Sequence, residues 1–368
     1  MGPDSGDLLR RHREIARGER QRGRPVIGTL CSHVPVEILH ACGALPLRLW
    51  GRADEIGRAD ALLQTYICPP VRHLMAQGLS GRYDFLDGLI HTYCCDAACG
   101  LFNIWRRNLK PGFSRMVSLP YQATGAAVDY ALTEFRGLAL ALAAFTGRSF
   151  AEGSLAESIR LYEEARGLLR DLYRRKQAGE AISYREIHRQ NLLFQLLPVE
   201  RFIAFGREYR PEAAGTAPAK GFRILLSGSV IADEEILERI EALGGRVVAD
   251  ETCIGLRPLQ GKISEDGDPL RALAAFYLER PPCASRADLP SRRDYLFSTI
   301  ASAKAEAVIF IHQKFCDPHL SDHPLLKKTL EERGIPQLQF ELEGEGMTAQ
   351  IQTRLEGFFE MLERNAWR

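Results

Sequence analysis

Several common features are missing from this sequence, and each absence removes a class of function. Net charge is nearly nil, with 48 Lys and Arg against 47 Asp and Glu in 368 residues, so no broad basic field is offered to nucleic acid or an anionic membrane surface. No apolar stretch approaches a membrane span or a signal-peptide core; the first residues, GDLLRRHREIARGERQRGRP, are charged and predict a helix. A cytoplasmic protein is expected. There is no GxxxxGK-Ser/Thr phosphate loop. There is also no CxxC pair, the close spacing that zinc ribbons and fingers use.

Cysteine, by contrast, is plentiful, at positions 31, 42, 68, 94, 95, 99, 253, 283 and 316. An odd number of thiols in a reducing compartment argues against a disulfide framework. Most are expected to act as small buried apolar residues, about five or six of the nine on general grounds. Cys42, within EILHACGALP, reads as the inner face of a helix.

Strand and helix patterns alternate along the chain, the signature of parallel sheets with crossover helices. Apolar strand candidates fall at 25–30, 45–50, 87–93 and 115–120, and again at 222–228, 245–251, 305–312 and 335–342. Helical patterns separate them in both halves. The fold expected is α/β: two similar four-stranded parallel-sheet domains, an internal duplication, joined by long helices. The division expected is an N-terminal helix at 1–24, a first α/β domain at 25–125, a helical connector at 126–215 and a second α/β domain with a C-terminal helix at 216–368. Within the connector, 184–209 reads as one helical run, and the polar stretch PEAAGTAPAKG at 211–221 as a hinge or linker.

One pattern occurs twice. His91 to Cys95 and Asp96, and His312 to Cys316 and Asp317, each read His, three residues, Cys, Asp, just after the third apolar run of a half. In open parallel sheets the ligand crevice lies beyond the carboxyl ends of the strands. Two halves facing one another would deliver Cys95 and Cys316 to a shared cleft. Two thiols do not close a metal site, so a third is needed. Cys68 is the best candidate, because Pro69 and Pro70 stiffen its loop and start the next helix; Cys253 and Cys283 are its rivals. Three widely spaced thiolates suit iron and sulfur, and a cubane held by three cysteines leaves one iron open to chemistry.

Asp96 and Asp317 are expected to cap helices and orient the neighbouring cysteines. His91 and His312 are expected as strand-end residues bonded to the backbone, with a direct role as the competing reading. Ser32 and His33, in the loop after the first strand, are candidates to hold a reacting oxygen or donate a proton.

The segments TLCSHVPVEILHACGALPLRLWG, QTYICPPVRHLMAQGLSGRYDFLDGLI, CCDAACGLFNIWRR, VVADETCIGLR, GDPLRALAAFYLE and KFCDPHLSDHPLLKKTLEERGIP, in this order, resemble the 2-hydroxyacyl-CoA dehydratase and benzoyl-CoA reductase family from about residue 25 onward. The QTYIC and LSGRYDFLDG stretches are most similar to the smaller cluster-bearing subunits of ATP-dependent benzoyl-CoA reductases. The resemblance implies an anaerobic enzyme of two related subunits, a heterodimer or homodimer, acting on an acyl-CoA. It implies a 4Fe-4S cluster in the interdomain cleft on Cys68, Cys95 and Cys316. A separate ATP-hydrolysing iron-sulfur activator protein would supply single electrons, in keeping with the missing phosphate loop.

The reaction implied first is reduction of an aromatic or unsaturated acyl-CoA; the alternatives are a subunit that dehydrates an (R)-2-hydroxyacyl-CoA, or a non-catalytic electron relay. A dehydratase is expected to carry an acidic group near the end of the second strand, where this chain has Trp50, with carboxylates only at Asp54 and Glu55. Cys253 and Cys283 add thiols for the larger double-cubane cluster of some relatives.

Overall fold

A computed structural model describes residues 5–51, 57–211, 221–231, 234–281, 283–286, 289–343 and 346–366. Asp54 and Glu55, and the expected linker apart from its end residues 211 and 221, lie outside the described residues. In chain order the first half contains α1 (Ser5–Gln21), β1 (Val26–Thr29), α2 (Val36–Ala41), β2 (Leu45–Arg48), α3 (Pro69–Leu79), β3 (Gly88–Thr92), α4 (Asp96–Leu109) and β4 (Phe113–Val117). Four helices follow: α5 (Gly125–Thr146), α6 (Glu152–Ala178), α7 (Tyr184–Leu196) and α8 (Val199–Glu208). The second half contains β5 (Phe222–Gly228), α9 (Glu234–Ala242), β6 (Gly245–Glu251), α10 (Pro269–Glu279), α11 (Leu289–Ala303), β7 (Ala307–Gln313), α12 (Asp317–Glu332), β8 (Gln337–Leu342) and α13 (Ala349–Ala366).

The sheets run β2-β1-β3-β4 and β6-β5-β7-β8, with every pairing parallel. Register repeats as well as order. Ile90, just before His91, pairs with Thr29 at the end of β1, and Ile311, just before His312, pairs with Gly228 at the end of β5. Central strands of such sheets are covered on both faces and therefore read as continuous apolar runs; every residue of β7, AVIFIHQ, is buried. In each sheet the chain leaves the first strand toward one side and the third toward the other. That reversal opens a crevice at the carboxyl edge between β1 and β3, and again between β5 and β7.

One helix expectation changes. The run at 184–209 is two helices, because Pro198 lacks the N–H needed to continue α7 and instead stands as the N-cap of α8. Helix α12 starts at Asp317, before the apolar pattern begins, and carries Pro324 in its interior. Helix α10 belongs in sequence to the second half, yet Leu270, Leu273, Phe276 and Tyr277 pack in one core with Phe135 and Leu138 of α5 and Ile27 and Ile90 of the first sheet. Its start is set locally by Asp268, which accepts from Leu270 N at 2.8 Å, and by Pro269 in the first turn.

A buried polar brace ties the same regions. Glu37 of α2 accepts from Arg166 of α6 and, at 2.8 Å, from the Tyr277 hydroxyl of α10, which also donates to Val34 O. Burial pushes the Glu37 carboxyl up, but Arg166 and Arg280 outweigh it and hold the group below its ordinary value. No helix among the described residues is long and apolar enough to cross a membrane.

A candidate metal centre between the two sheets

Cys68, Cys95 and Cys316 are the N-cap residues of α3, α4 and α12. Each backbone carbonyl accepts the first helical hydrogen bonds, from Val71, Cys99 and Leu320 respectively, at 3.0 to 3.1 Å. An N-cap side chain stands beside the unpaired amides of the first turn, where the helix dipole favours negative charge. Three helices thus present thiols at their positive ends.

Each position has its own local cause. Gly51 allows the loop after β2 to lie against the first turns of α3, since a Cβ there would meet Pro70 O at 2.1 Å and Leu74 N at 2.7 Å. Phe315, immediately before Cys316, adopts φ 60°, a left-handed conformation that bulky residues avoid. Asp96 and Asp317 are exposed residues of the first helical turn, not the caps that were expected. The cysteines occupy the cap positions themselves, and the aspartates add only negative charge at the helix start.

The three thiols lie within electrostatic reach of one another. Burial, then the charges of Cys316 and Cys95, push Cys68 well up. Burial pushes Cys316 up to about 12, and the charges of Cys95 and Cys283 also raise it. Cys95 is lowered, chiefly by hydrogen bonding from Cys94.

The nine cysteines differ in their surroundings. Cys42 only packs, buried and donating to Ala139 O at 3.6 Å. Every other cysteine has another thiol among the groups that shift it. Cys31, after β1, is lowered mainly by a hydrogen bond from Cys94, after β3. The two therefore meet across the crevice of the first sheet. Cys253, after β6, pairs with Cys283, and Arg257 Nη2 donates to the Cys253 sulfur at 3.0 Å. Asp250 shapes that loop: its Oδ1 accepts from Thr252 N and Leu256 N, both at 3.0 Å, and Gly255 leaves room for it, since a Cβ would meet Oδ1 at 1.8 Å.

The candidate proton carriers sit beside these thiols. His33 is buried, with Nδ1 3.7 Å from the Cys31 sulfur, and burial holds it below its ordinary value despite the pull of that thiol. Ser32 is half-buried and gives its carbonyl to Arg280. His91 and His312 do not bond to the backbone as expected. His91 Nε2 faces the sulfurs of Cys94 at 3.6 Å and Cys99 at 3.7 Å, and its ring stacks on Phe102. His312 meets the Gln339 side chain and the rings of His319 and His323. Burial lowers His91 to about 4 and His312 to about 3, so both are neutral at ordinary pH.

Arg48 escaped sequence reasoning. It ends β2, is buried at 8% exposure, and has Nε and Nη1 without a partner among the described residues. Its charge acts on Cys31, His91 and Cys253. The available signal was one cation closing the otherwise apolar strand LPLR. Cys31 and Cys94 were missed for a different reason: which thiols meet depends on both strand ends at once.

No group of three or more His, Cys, Asp or Glu side chains among the described residues is arranged to hold a single metal ion. The donor set suits a polynuclear iron-sulfur group instead: soft thiols, no carboxylate, held apart on three helix ends. Desolvated thiolates that raise one another's pKa need a cationic core to stay ionised, and metal binding supplies one.

This arrangement, two duplicated parallel sheets with thiols on facing helix starts, agrees with the sequence comparisons. The profile of the family described as 2-hydroxyglutaryl-CoA dehydratase, D-component, matches residues 31–362, and the chain belongs to that family. It is 30% identical to a benzoyl-CoA reductase subunit of Thauera aromatica over 333 residues, covering 88% of this chain and 86% of that protein. It is 25% identical to the lactoyl-CoA dehydratase subunit beta of Anaerotignum propionicum over 355 residues, 93% of each chain. A similar match, 25% over 368 residues, covers 93% of this chain and 94% of the (R)-2-hydroxyglutaryl-CoA dehydratase subunit beta of Acidaminococcus fermentans. These relatives are subunits of acyl-CoA reductases and dehydratases, and the family is one of enzymes.

Proposed function

We propose that this chain is the iron-sulfur subunit of an ATP-activated acyl-CoA enzyme that reduces an aromatic or unsaturated acyl-CoA in the cytoplasm. The observation that supports this reading is that Cys68, Cys95 and Cys316, from both halves of the chain, each cap a helix N-terminus, with the charges of Cys316 and Cys95 acting on Cys68. A 4Fe-4S cluster bound there supplies single low-potential electrons. The protein's part is to exclude water and place the thioester.

Ser32 and His33 stand at the crevice between β1 and β3, where Ser32 holds the thioester oxygen and His33 passes a proton at its ring nitrogen. Domains at 25–125 and 216–368 form the two walls of the site, with 126–215 behind them. A homologous second subunit, or a second copy of this chain, completes the enzyme, and a separate ATP-hydrolysing protein delivers the electrons.

Identity to the benzoyl-CoA reductase subunit exceeds that to the dehydratase subunits, and β2 ends on a cation, Arg48, with no carboxylate in the strand. The dehydratase reading draws on near-complete coverage of dehydratase beta subunits. Electron stoichiometry separates the two. Reduction consumes about two electrons per product, whereas a dehydratase turns over repeatedly after one activating electron. Anaerobic assays with each acyl-CoA class decide, and repeated turnover of a 2-hydroxyacyl-CoA on one electron equivalent would overturn the reductase assignment.

The thiols at Cys31, Cys94, Cys253 and Cys283 favour a second reading of the metal content, a double cubane in place of a single one. Iron and sulfide analysis distinguishes them.

A further inference from the structure

The two halves share no strand pairing among the described residues, since each sheet pairs only its own four strands. How the loops at their carboxyl edges stand to one another is therefore left to side chains. Two of those loops carry chemistry: 31–34 after β1, with Ser32 and His33, and the stretch after β6 that runs from Cys253 to the short helical turn Arg257–Leu259. One residue reaches both. Arg280, at the C-cap of α10, donates from Nη1 to Ser32 O and from Nη2 to Pro258 O at 3.2 Å.

The guanidinium carbon stands 4.1 Å from the centre of the Tyr277 ring and 4.8 Å from that of Phe276, so the bridge is backed by two aromatic faces of α10. Burial is the main influence on the group and lowers its pKa; the Arg166 charge acts the same way, and Glu37 and Cys31 oppose it. Taking a guanidinium out of water costs stability, and an apolar side chain would avoid that cost. What the charge answers here is the pair of carbonyls. The end of α10 is itself anchored: Tyr277 reaches Val34 O at 3.1 Å, and Arg286, just beyond, donates to Leu119 O at 3.2 Å and Pro120 O at 2.6 Å in the loop after β4. Arg280 therefore reaches out from a fixed base.

We propose that Arg280 is a positioning residue: by donating to both loops at once it fixes Ser32 and His33 against the Cys253 loop of the other half, and so sets where the reacting oxygen and the proton donor stand. The inference rests on the acyl-CoA reading above, in which Ser32 and His33 act on the thioester, and adds to it a residue that touches no substrate. Misplacing a reacting group by about 1 Å is enough to slow a reaction by about a hundredfold. Arginine suits the task and lysine does not. A guanidinium presents its donors in a rigid planar fork, here spread over two acceptors, whereas an ammonium is a point charge on a flexible stem. Charge and bridge are thus separable by substitution.

The test uses the anaerobically purified protein with its partner subunit and three variants: Arg280→Met, Arg280→Lys and, as a control, Arg170→Gln. Arg170 of α6 holds the same second-half turn, through Leu259 O at 2.8 Å and Gly261 O at 2.9 Å, and makes no hydrogen bond to the 31–34 loop among the described residues. Hydrogen exchange reads the bridge without turnover, at Val34 N–H, bonded to Cys31 O at 3.2 Å, and Leu259 N–H, bonded to Leu256 O at 2.9 Å. Arg280→Met is expected to speed exchange in both segments by about tenfold or more, and Arg170→Gln in the second alone. In steady state Arg280→Met should lower kcat by about ten- to a hundredfold with KM and iron content unchanged, Arg280→Lys should not restore it, and Arg170→Gln should leave it unaltered. Recovery of kcat in Arg280→Lys would overturn the bridge in favour of charge. A raised KM with unaltered kcat would overturn positioning in favour of substrate binding, and unaltered exchange in either segment of Arg280→Met would overturn the bridge itself. Should Arg280→Met fail to fold, Arg280→Lys decides alone, since it keeps the charge and a long stem: wild-type kcat in it overturns the proposal and a lowered kcat at full iron content supports it. Failure of the functional reading is distinct, because wild-type protein then converts no acyl-CoA while exchange in the variants still decides the bridge.

Discussion

Cys95 and Cys316 occupy one position in two copies of one fold: each follows the buried third strand of its sheet and caps the helix that leaves it. The shared His-x-x-x-Cys-Asp spacing is the trace of that equivalence. Equivalence also sets how the two should respond to mutation.

Replacing Cys68, Cys95 or Cys316 with Ala is expected to remove iron and activity together, because a cubane with two protein thiolates is an open and labile group. Cys42→Ala, whose native sulfur donates to Ala139 O within apolar surroundings, should retain both. Iron analysis after anaerobic purification is the measurement, and full iron in the Cys95→Ala protein would remove the assignment.

Wild-type protein with a single cubane should carry about four irons, and Cys253→Ala or Cys283→Ala should leave that number unchanged. About eight irons, falling on either substitution, is the double-cubane result. Metal analysis beside sulfide quantitation reads the difference directly.

Phe315 holds φ 60° and is 37% exposed, with the Lys314 ammonium 5.3 Å from its ring. Relief of a left-handed conformation outweighs the extra chain entropy of glycine, so Phe315→Gly should stabilise the protein by about 0.5–1 kcal/mol. Urea denaturation measures it. A clear loss of stability would mean that packing of the ring outweighs the backbone strain.

Glu37→Gln should destabilise the protein by about 2 kcal/mol, since it removes one of the two carboxylates, Glu37 and Glu163, that pair with the buried Arg166 guanidinium. Tyr277→Phe, which removes hydrogen bonds but no charge, should cost about 1 kcal/mol. Denaturant midpoints with unchanged slopes are expected for both, and equal effects would contradict the ionic character of the brace.

His188 is buried at 2% exposure, its Nε2 has no partner among the described residues, and burial lowers it to about 4 from 6.5. A base with a depressed folded pKa contributes stability that is fully present above its unfolded pKa. That stability is lost as pH falls from 6.5 toward 4, at up to about 1.4 kcal/mol per unit, because the unfolded chain takes up the proton first. His188→Met should flatten the stability profile in that window by about one proton. An unchanged slope would show that His188 is protonated in the folded protein.

The strands were the legible part of this fold. All eight overlap the apolar runs that predict them, β4 starting two residues earlier than its run, and the central strands are the plainest because both their faces are covered and the run needs no alternation. Helix ends were less legible: the apolar pattern of α12 begins only at Leu325, yet the helix itself already includes Asp317. The three metal-ligand candidates could be named because each precedes a helix start that the sequence marks with Pro or Asp. The surrounding thiols could not, since Cys31 meets Cys94, and Cys253 meets Cys283, only after the sheets close. Arg48 was hidden for the opposite reason, as a single cation whose neighbours come from distant segments. The crossing of α10 onto α5 was also invisible, because an apolar helix face does not name its partner.

The proposed ligands are also far apart in time. A ribosome extends the chain from its N-terminus, so Cys68 and Cys95 exist long before Cys316, which follows β7 near the end of synthesis. The first sheet can fold and present two thiols early, but the third side of the centre has to wait for the second sheet. On the proposed ligand set, a cluster could be completed only after the second sheet has folded. A nascent chain stalled before β7 would expose paired thiols to oxidants while being unable to shelter a cluster.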